Sequence, residues 1–290
     1  MKGLILVNAY STQSEMLYQP NRLKEEFNAL GVDCDVVRND FFPFCIDKTT
    51  IKSKLIGYDF CVYLDKDKYS LKCIDEIGIP LFNGYDAIET CDDKMLTYIR
   101  LARHSIPTPK TLPGLLCYDA DAPVKDDSVN EIERQLGYPV IIKECYGSLG
   151  KGVYLARERN KLVSVMEKVK CTPHLFQSFI ETSYGRDLRV IVIGDTVVGG
   201  MLRQSNGDFR SNITAGGNGS PYPLTDEIKS LALRCAQAIG LDYCGIDLLF
   251  DGDDFVVCEV NSNAFFGGFE KVTGINVARI YAKYIIEKLS

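Results

Sequence analysis

The stretch Ile246-Asp247-Leu248-Leu249-Phe250-Asp251-Gly252-Asp253-Asp254-Phe255-Val256-Val257-Cys258-Glu259-Val260-Asn261 decides how this chain is read. Two apolar runs flank an Asp/Gly cluster, the pattern of a β-hairpin closed by a short polar turn. Side chains alternate along a strand, so Glu259 and Asn261 project from the same face. With the turn centred on Asp253, Asp247 lies six residues before it and Glu259 six after, which sets the two acids opposite each other. Cross-strand neighbours have Cβ atoms roughly 4.5–5.5 Å apart, near enough for two carboxylates to share cations. Acids set among Ile, Leu, Val and Cys are costly without such a partner. Hard oxygen ligands favour magnesium or manganese. The competing account is a solvated edge hairpin; Asp251, Asp253 and Asp254 are turn residues on either one.

Composition narrows the field. The chain has 290 residues, 46% hydrophobic and 25% charged, enough for one large domain or two to three small ones. A net charge of −6 argues against a broad nucleic-acid surface, so an anionic substrate needs local cations. No apolar run approaches the ~18 residues of a membrane span. The opening Met1-Lys2-Gly3-Leu4-Ile5-Leu6-Val7-Asn8 reads as a first strand and lacks a cleavage pattern. Eleven cysteines without a Cys-x-x-Cys suit a reducing cytoplasm. His104 and His174 alone give a zinc site or a histidine-based triad little to build on.

Residues 1 to about 86 alternate strand and helix: strands at Leu4–Val7, Asp33–Val37 and Tyr58–Leu64, helices at 21–30, Thr50–Ile56 and Ser70–Ile77. That alternation predicts βαβ units around a small parallel sheet. No Gly-x-Gly-x-x-Gly follows the first strand, and the strand ends direct attention to Asn8–Ser11 and Asn83. A helix is expected from Thr90, as N-cap, through His104, carrying Lys94; residues 119–130 read as loop. Strand Tyr138–Lys143 then runs into Glu144-Cys145-Tyr146-Gly147-Ser148-Leu149-Gly150-Lys151-Gly152 and a second strand. Three glycines and a serine in six residues offer bare N–H groups to a phosphate, although hairpin glycines are also common. A strand follows, so this is neither a Walker A loop nor a Rossmann turn. Lys143, in an apolar strand beside the loop, calls for an anionic partner. Leu175–Ile180 is extended, a hinge whose backbone can read an adenine edge. Arg189–Val198 is a hairpin about Gly194-Asp195, and Thr225–Ile239 a helix whose apolar stripe is core.

Taken together, a strand-end lysine, a glycine-rich hairpin, a hinge and an Asp…Glu-x-Asn hairpin suggest a nucleoside triphosphate held between two lobes. The motifs resemble those of the ATP-grasp superfamily and, within it, the RimK-type glutamate ligases. They are Lys143 with Gly147-Ser148-Leu149-Gly150-Lys151-Gly152-Val153, Asp187-Leu188-Arg189-Val190, Asp208-Phe209-Arg210-Ser211-Asn212, Gly245-Ile246-Asp247, Cys258-Glu259-Val260-Asn261 and Gly268–Ile275, in order over residues 86–290. The resemblance implies an α/β fold with α+β lobes: an N-terminal βαβ domain over 1–86, a central lobe over 87–175 and a C-terminal lobe over 176–290. Lys94, Lys143 and the loop glycines Gly147, Gly150 and Gly152 with Ser148 would hold ATP phosphates. Ser178 and Phe179 would meet the adenine, and Asp187 the ribose. Asp247, Glu259 and Asn261 would bind two magnesium or manganese ions. Arg203, Arg210 and Asn212 would face the transferred phosphoryl group.

The implied reaction is ATP-dependent joining of a small-molecule or peptide carboxylate to an amino-acid amine through an acyl phosphate. A non-catalytic nucleotide-binding module and a phosphotransferase are the alternatives on the same fold. The segments 212–217 and 261–268 depart from the RimK pattern, lacking a His-Arg pair and a Pro-Gly respectively. The amino acid, the acceptor and the oligomeric state, a homo-oligomer included, therefore stay open.

Overall fold

A computed structural model describes the chain except residues 13, 149, 206 and 212–216 and the side chain at 15. The first unit runs β1 (Lys2–Val7), α1 (Ser14–Ala29), β2 (Asp33–Arg38), a hairpin of β3 (Phe44–Asp47) and β4 (Thr50–Ser53), β5 (Phe60–Leu64), α2 (Lys68–Glu76) and β6 (Leu81–Phe82). Its parallel sheet has the order β2-β1-β5-β6. The expected short helix at Thr50–Ile56 is replaced by β4. Thr50 and Ile51 are β-branched, and Lys48 adopts a left-handed φ of 56° in the turn, so local pairing with Phe44–Asp47 wins.

The helix expected over 90–104 is two helices, α3 (Tyr85–Asp92) and α4 (Lys94–Arg103). Asp93 breaks them in an extended conformation, and its carboxylate accepts from the N–H groups of Met95 (2.8 Å) and Leu96 (3.1 Å). An aspartate N-cap satisfies donors that a continuous helix would not leave free. Both helices pack on the C-terminal sheet, where Ala87 and Leu101 join its core.

The central sheet comprises β7 (Thr111–Pro113), β8 (Val140–Glu144), β9 (Val153–Ala156) and β10 (His174–Ser178), ordered β7-β10-β8-β9. Helices α5 (Asp126–Leu136) and α6 (Arg159–Val169) close one core over it. α5 begins inside the segment read as loop, because Val129 and Ile132 supply just enough apolar face to anchor a polar helix.

The C-terminal lobe is an antiparallel sheet of β11 (Arg186–Ile193), β12 (Thr196–Gln204), β13 (Asn218–Tyr222), β14 (Tyr243–Asp251) and β15 (Asp254–Asn261), with α7 (Asp226–Ile239), α8 (Gly267–Thr273) and α9 (Val277–Leu289). The sheet order is β13-β12-β11-β14-β15. One face, with Leu188, Val190, Cys244, Ile246 and Leu248, is sealed by α7. The other face is divided. At one end Ile191, Ile193, Met201 and Tyr243 share a core with Phe27, Phe60 and Phe82 of the first unit and with α9. At the other end the same face is charged.

Asn83, singled out as a ligand candidate, is instead a buried tie between units. Its amide donates to the carbonyls of Tyr243 and Ser262 (both 2.8 Å) and accepts from the N–H groups of Asp242 and Tyr243. α1 is clamped to α9 by Glu26, which accepts from Asn276 (2.7 Å), Arg22 (2.7 Å) and Arg279 (3.1 Å). The Asn276 hydrogen bond, opposed by burial and reinforced by the two arginines, holds the Glu26 carboxyl below its ordinary pKa of 4.5. Its stabilising contribution is present above that ordinary value and is lost as pH falls through the lowered one. Glu26→Gln is therefore expected to be less stable than the parent at pH 7 and to lose less further stability on acidification. Urea unfolding at pH 7, 5 and 3.5 measures both, and parallel pH profiles for the two proteins would refute the assignment.

Candidate active site

The charged end of the C-terminal sheet is built by strand register. Asp187 on β11 pairs with Arg203 on β12, and Arg189, two residues on, pairs with Asp247 on β14. Asp247 in turn pairs with Glu259 on β15, and Gly245 with Asn261. Alternation puts all six polar side chains on one face. A Cβ at Gly245 would lie 2.5 Å from that of Ala264, so only glycine fits beneath this row.

The Asp247–Glu259 pairing depends on a bulge. The hairpin closes through Gly252 and Asp253, with Asp251 opposite Asp254. Carried straight along the ladder, that register would set Cys258 opposite Asp247. The pairing shifts between Leu248–Val257 and Asp247–Glu259, leaving Cys258 as the extra residue. Sequence reasoning placed the turn half a residue too late and reached the right pair because the bulge makes up the difference.

Asp247 is 4% exposed. It receives Arg189 through Nε and Nη2 (both 2.7 Å), Arg203 Nη2 (2.9 Å) and Asn261 Nδ2 (3.5 Å). Arg203 is bidentate to Asp187 at 2.6 Å on both oxygens, and the Ser211 hydroxyl donates to Asp187 as well. Burial would raise the Asp247 carboxyl, but Arg189 and Arg203 outweigh it and hold it below the ordinary range. Burial wins at Asp187, which sits above that range despite Arg203. Asp247 is thus the more firmly ionised of the two.

Two lysines face this row from the other side of the cleft. Lys94 opens α4 and its own N–H is fixed to the Cys145 carbonyl at 3.1 Å. Its ammonium donates to the Gly147 carbonyl (2.9 Å) and lies 3.8 Å from Glu259. Burial lowers its pKa, with Glu259 opposing. Lys143 on β8 is 7% exposed, and among the described residues no carboxylate lies within ion-pair distance of it. Between them the loop after β8 turns through Gly147, Gly150 and Gly152, all with positive φ. Arg210 ties the loop to the C-terminal lobe by donating to the Gly150 carbonyl at 3.1 Å.

The structure thus gathers Lys94, Lys143, Gly147, Gly150, Gly152, Arg203, Arg210, Asp247, Glu259 and Asn261 about one cleft; Ser148 is exposed on the loop. Ser178 lies opposite Val140, three residues along β8 from Lys143, or about 10 Å away. Phe179 follows it, its ring edge-on to Tyr184 and Phe209. Asp187, expected at the ribose, is placed against Arg203. It is buried, with both oxygens spent on Arg203 and Ser211, and acts as the support of that arginine. Arg210 differs too: it is engaged by Asp208 and the loop. Asn212 lies outside the described residues.

Arg189 was quoted in a motif but given no role, although it alternates with Asp187 on one strand, a signal present in the sequence. Tyr98, one turn after Lys94, was detectable in the same way. The bulge at Cys258 left no such trace.

The side chains of Asp247, Glu259 and Asn261 offer oxygen, the donor type a hard divalent cation takes, with both Asp247 oxygens also held by Arg189 and Arg203. The partly exposed Glu259 side chain makes no hydrogen bond among the described residues, so it is available to one. The fold itself is ATP-grasp. An ATP-grasp ligase, PsnB, in complex with a phosphomimetic variant of a minimal precursor, Mg and ADP, superimposes with a TM-score of 0.70 at 18% identity, over 99% of this chain and 98% of that one. Residues 91–285 match the RimK-like ATP-grasp domain, and the chain belongs to that family. It is 37% identical over 231 residues to N-acetylaspartylglutamate synthase A of Homo sapiens, covering 79% of this chain and 58% of that protein. It is likewise 37% identical over 231 residues to beta-citrylglutamate synthase B of Danio rerio, covering 79% and 56%. The chain thus spans little more than half the length of these relatives.

A buried ion pair broken on one side costs roughly 3–5 kcal/mol, whereas replacing both partners with apolar groups is near neutral. Arg203→Met is therefore expected to destabilise by about that amount, and Asp187→Leu added to it to restore most of the loss. Urea unfolding of the parent, both single variants and the double variant tests this. Additive losses would show that the pair is not a unit.

Proposed function

We propose that the chain is an ATP- and magnesium-dependent carboxylate–amine ligase working through an acyl phosphate. The observation that carries this is the paired Asp247 and Glu259, with Asn261, facing two lysines beneath a glycine-rich loop. Asp247, Glu259 and Asn261 would hold the cations, two in the reading favoured here. When bound, these neutralise triphosphate charge and polarise the transferred phosphoryl group. Lys94 and Lys143 bind phosphate oxygens, and the loop N–H groups close over them. Ser178 and Phe179 offer the adenine edge and face. Arg203, aimed by Asp187, stabilises charge on the transferred group, while Arg210 holds the loop closed.

A carboxylate oxygen attacks the terminal phosphorus and ADP leaves. The amine then attacks the acyl carbon, phosphate leaves, and the amine gives up a proton. Positioning and charge neutralisation carry the rate, with no covalent enzyme intermediate. The products named for both relatives contain glutamate, which supports an acidic amino acid as the amine and a small carboxylate as acceptor. All eleven cysteines are free thiols, which supports a reducing compartment. Among the described residues no helix is long and apolar enough to cross a membrane.

A screen of amino acids against small carboxylates, with MgATP and phosphate release as readout, identifies the pair, and mass spectrometry of the product checks for the amide. Phosphoryl transfer without an amide would favour a phosphotransferase; nucleotide binding with no turnover on any pair would favour a binding module. With the true substrates, Glu259→Gln should lower kcat by ~100- to 1000-fold, the scale of losing one strong electrostatic stabiliser. Undiminished turnover in that variant would remove Glu259 from the cation site.

A further inference from the structure

Tyr98 has no role in the scheme above, yet it touches both halves of it. It sits on α4 one turn after Lys94, so the two side chains emerge on the same face. It is 4% exposed. Its hydroxyl donates to the main-chain carbonyl of Cys258 at 2.5 Å and accepts from the ammonium of Lys143 at 3.1 Å. A phenol has one proton to give. With that proton committed to Cys258, the oxygen faces Lys143 only as an acceptor. Cys258 is the extra residue of the β15 bulge, and the next residue is Glu259.

The surroundings of Lys143 make this contact matter. Lys94 and Tyr98 approach it from α4, Cys258 and Glu259 from β15. One ammonium proton goes to Tyr98, and the Cys258 sulfur lies 3.7 Å away. A buried ammonium on a four-carbon stem has several rotamers to choose from, and besides Tyr98 the Cys258 sulfur is its one hydrogen-bond partner among the described residues.

We infer that Tyr98 is a positioning residue: its hydroxyl locks the phosphate-binding Lys143 to the bulge that carries Glu259, setting their separation before nucleotide arrives. The helix that supplies Lys94 thereby joins the central sheet to the edge strand of the C-terminal sheet. This rests on the nucleotide-binding half of the proposed function and not on the identity of the substrates.

The test measures binding of MgADP and of a non-hydrolysable MgATP analogue by calorimetry in the parent, Tyr98→Phe, Lys143→Met and the double variant. Near-UV circular dichroism establishes folding. Tyr98→Phe should weaken nucleotide binding roughly tenfold, the scale of one hydrogen bond to a charged group. It should raise KM for ATP by a like factor while changing kcat much less. The double variant should bind no more weakly than Lys143→Met, because Tyr98 acts through that lysine. Parent-like affinity in Tyr98→Phe, or additive losses in the double variant, overturns the inference and leaves the ligase reading standing. A parent protein that binds neither nucleotide overturns both. Should Tyr98→Phe not fold, the parent answers alone. Its Lys143 ammonium protons, assigned in ¹⁵N spectra against Lys143→Arg, should exchange slowly with solvent; fast exchange counts against the lock.

Discussion

Asp247 keeps its charge in a site almost closed to water only because Arg189 reaches it from the adjacent β11 and Arg203 from β12 beyond. An unpaired carboxylate there would cost several kcal/mol, and the group would neutralise instead. Arg203 in turn is held by Asp187, so the four charges form one connected network. That arrangement keeps a carboxylate ionised and aimed at the cleft. Preorganisation of this kind is where electrostatic catalysis gets most of its advantage, since no dipoles have to be reoriented during the reaction.

The same face of the C-terminal sheet does two jobs, and the division explains how the site is held rigid. Ile191, Ile193, Met201 and Tyr243 bury themselves against Phe27, Phe60 and Phe82, while the continuation of the same strands carries the charges. Because the N-terminal unit shares this core, it braces the floor of the cleft as well as sitting beside it. Asn83 and Glu26 add polar ties at two further points of that seam. α3 and α4 do the corresponding service on the opposite face, where Ala87 and Leu101 enter the α7 core and leave Lys94 and Tyr98 facing the cleft.

Much of this was legible because it follows from short periods. Alternation in β14 and β15 identified Asp247, Glu259 and Asn261 as one face, and three glycines after a lysine-tipped strand identified the loop. The misreadings have equally local causes. Thr50–Ile56 was given a helix where β-branched residues and a left-handed turn made a hairpin. Thr90 was preferred as N-cap when Asp93, three residues later, does the capping. Asp187 was given to a ribose by resemblance alone, and a motif does not reveal that its oxygens accept from Arg203 and Ser211.

Sequence alone determined the chemical inventory and its order: which strands carry acids, which carry lysines, and where glycine frees the backbone. These are properties of residue type and spacing, set by backbone periods of two and about 3.6 residues. Tertiary structure decided the partnerships. The bulge at Cys258 brought Glu259 opposite Asp247, strand order placed Arg189 and Arg203 around that acid, and the break at Asp93 turned α4 so that Lys94 and Tyr98 reach the cleft. Apart from the bulge, which acts within one hairpin, each of these joins residues dozens to more than a hundred positions apart, and no local period encodes such a distance. They are settled by which apolar faces bury one another, and the charged residues then meet whatever that packing sets before them.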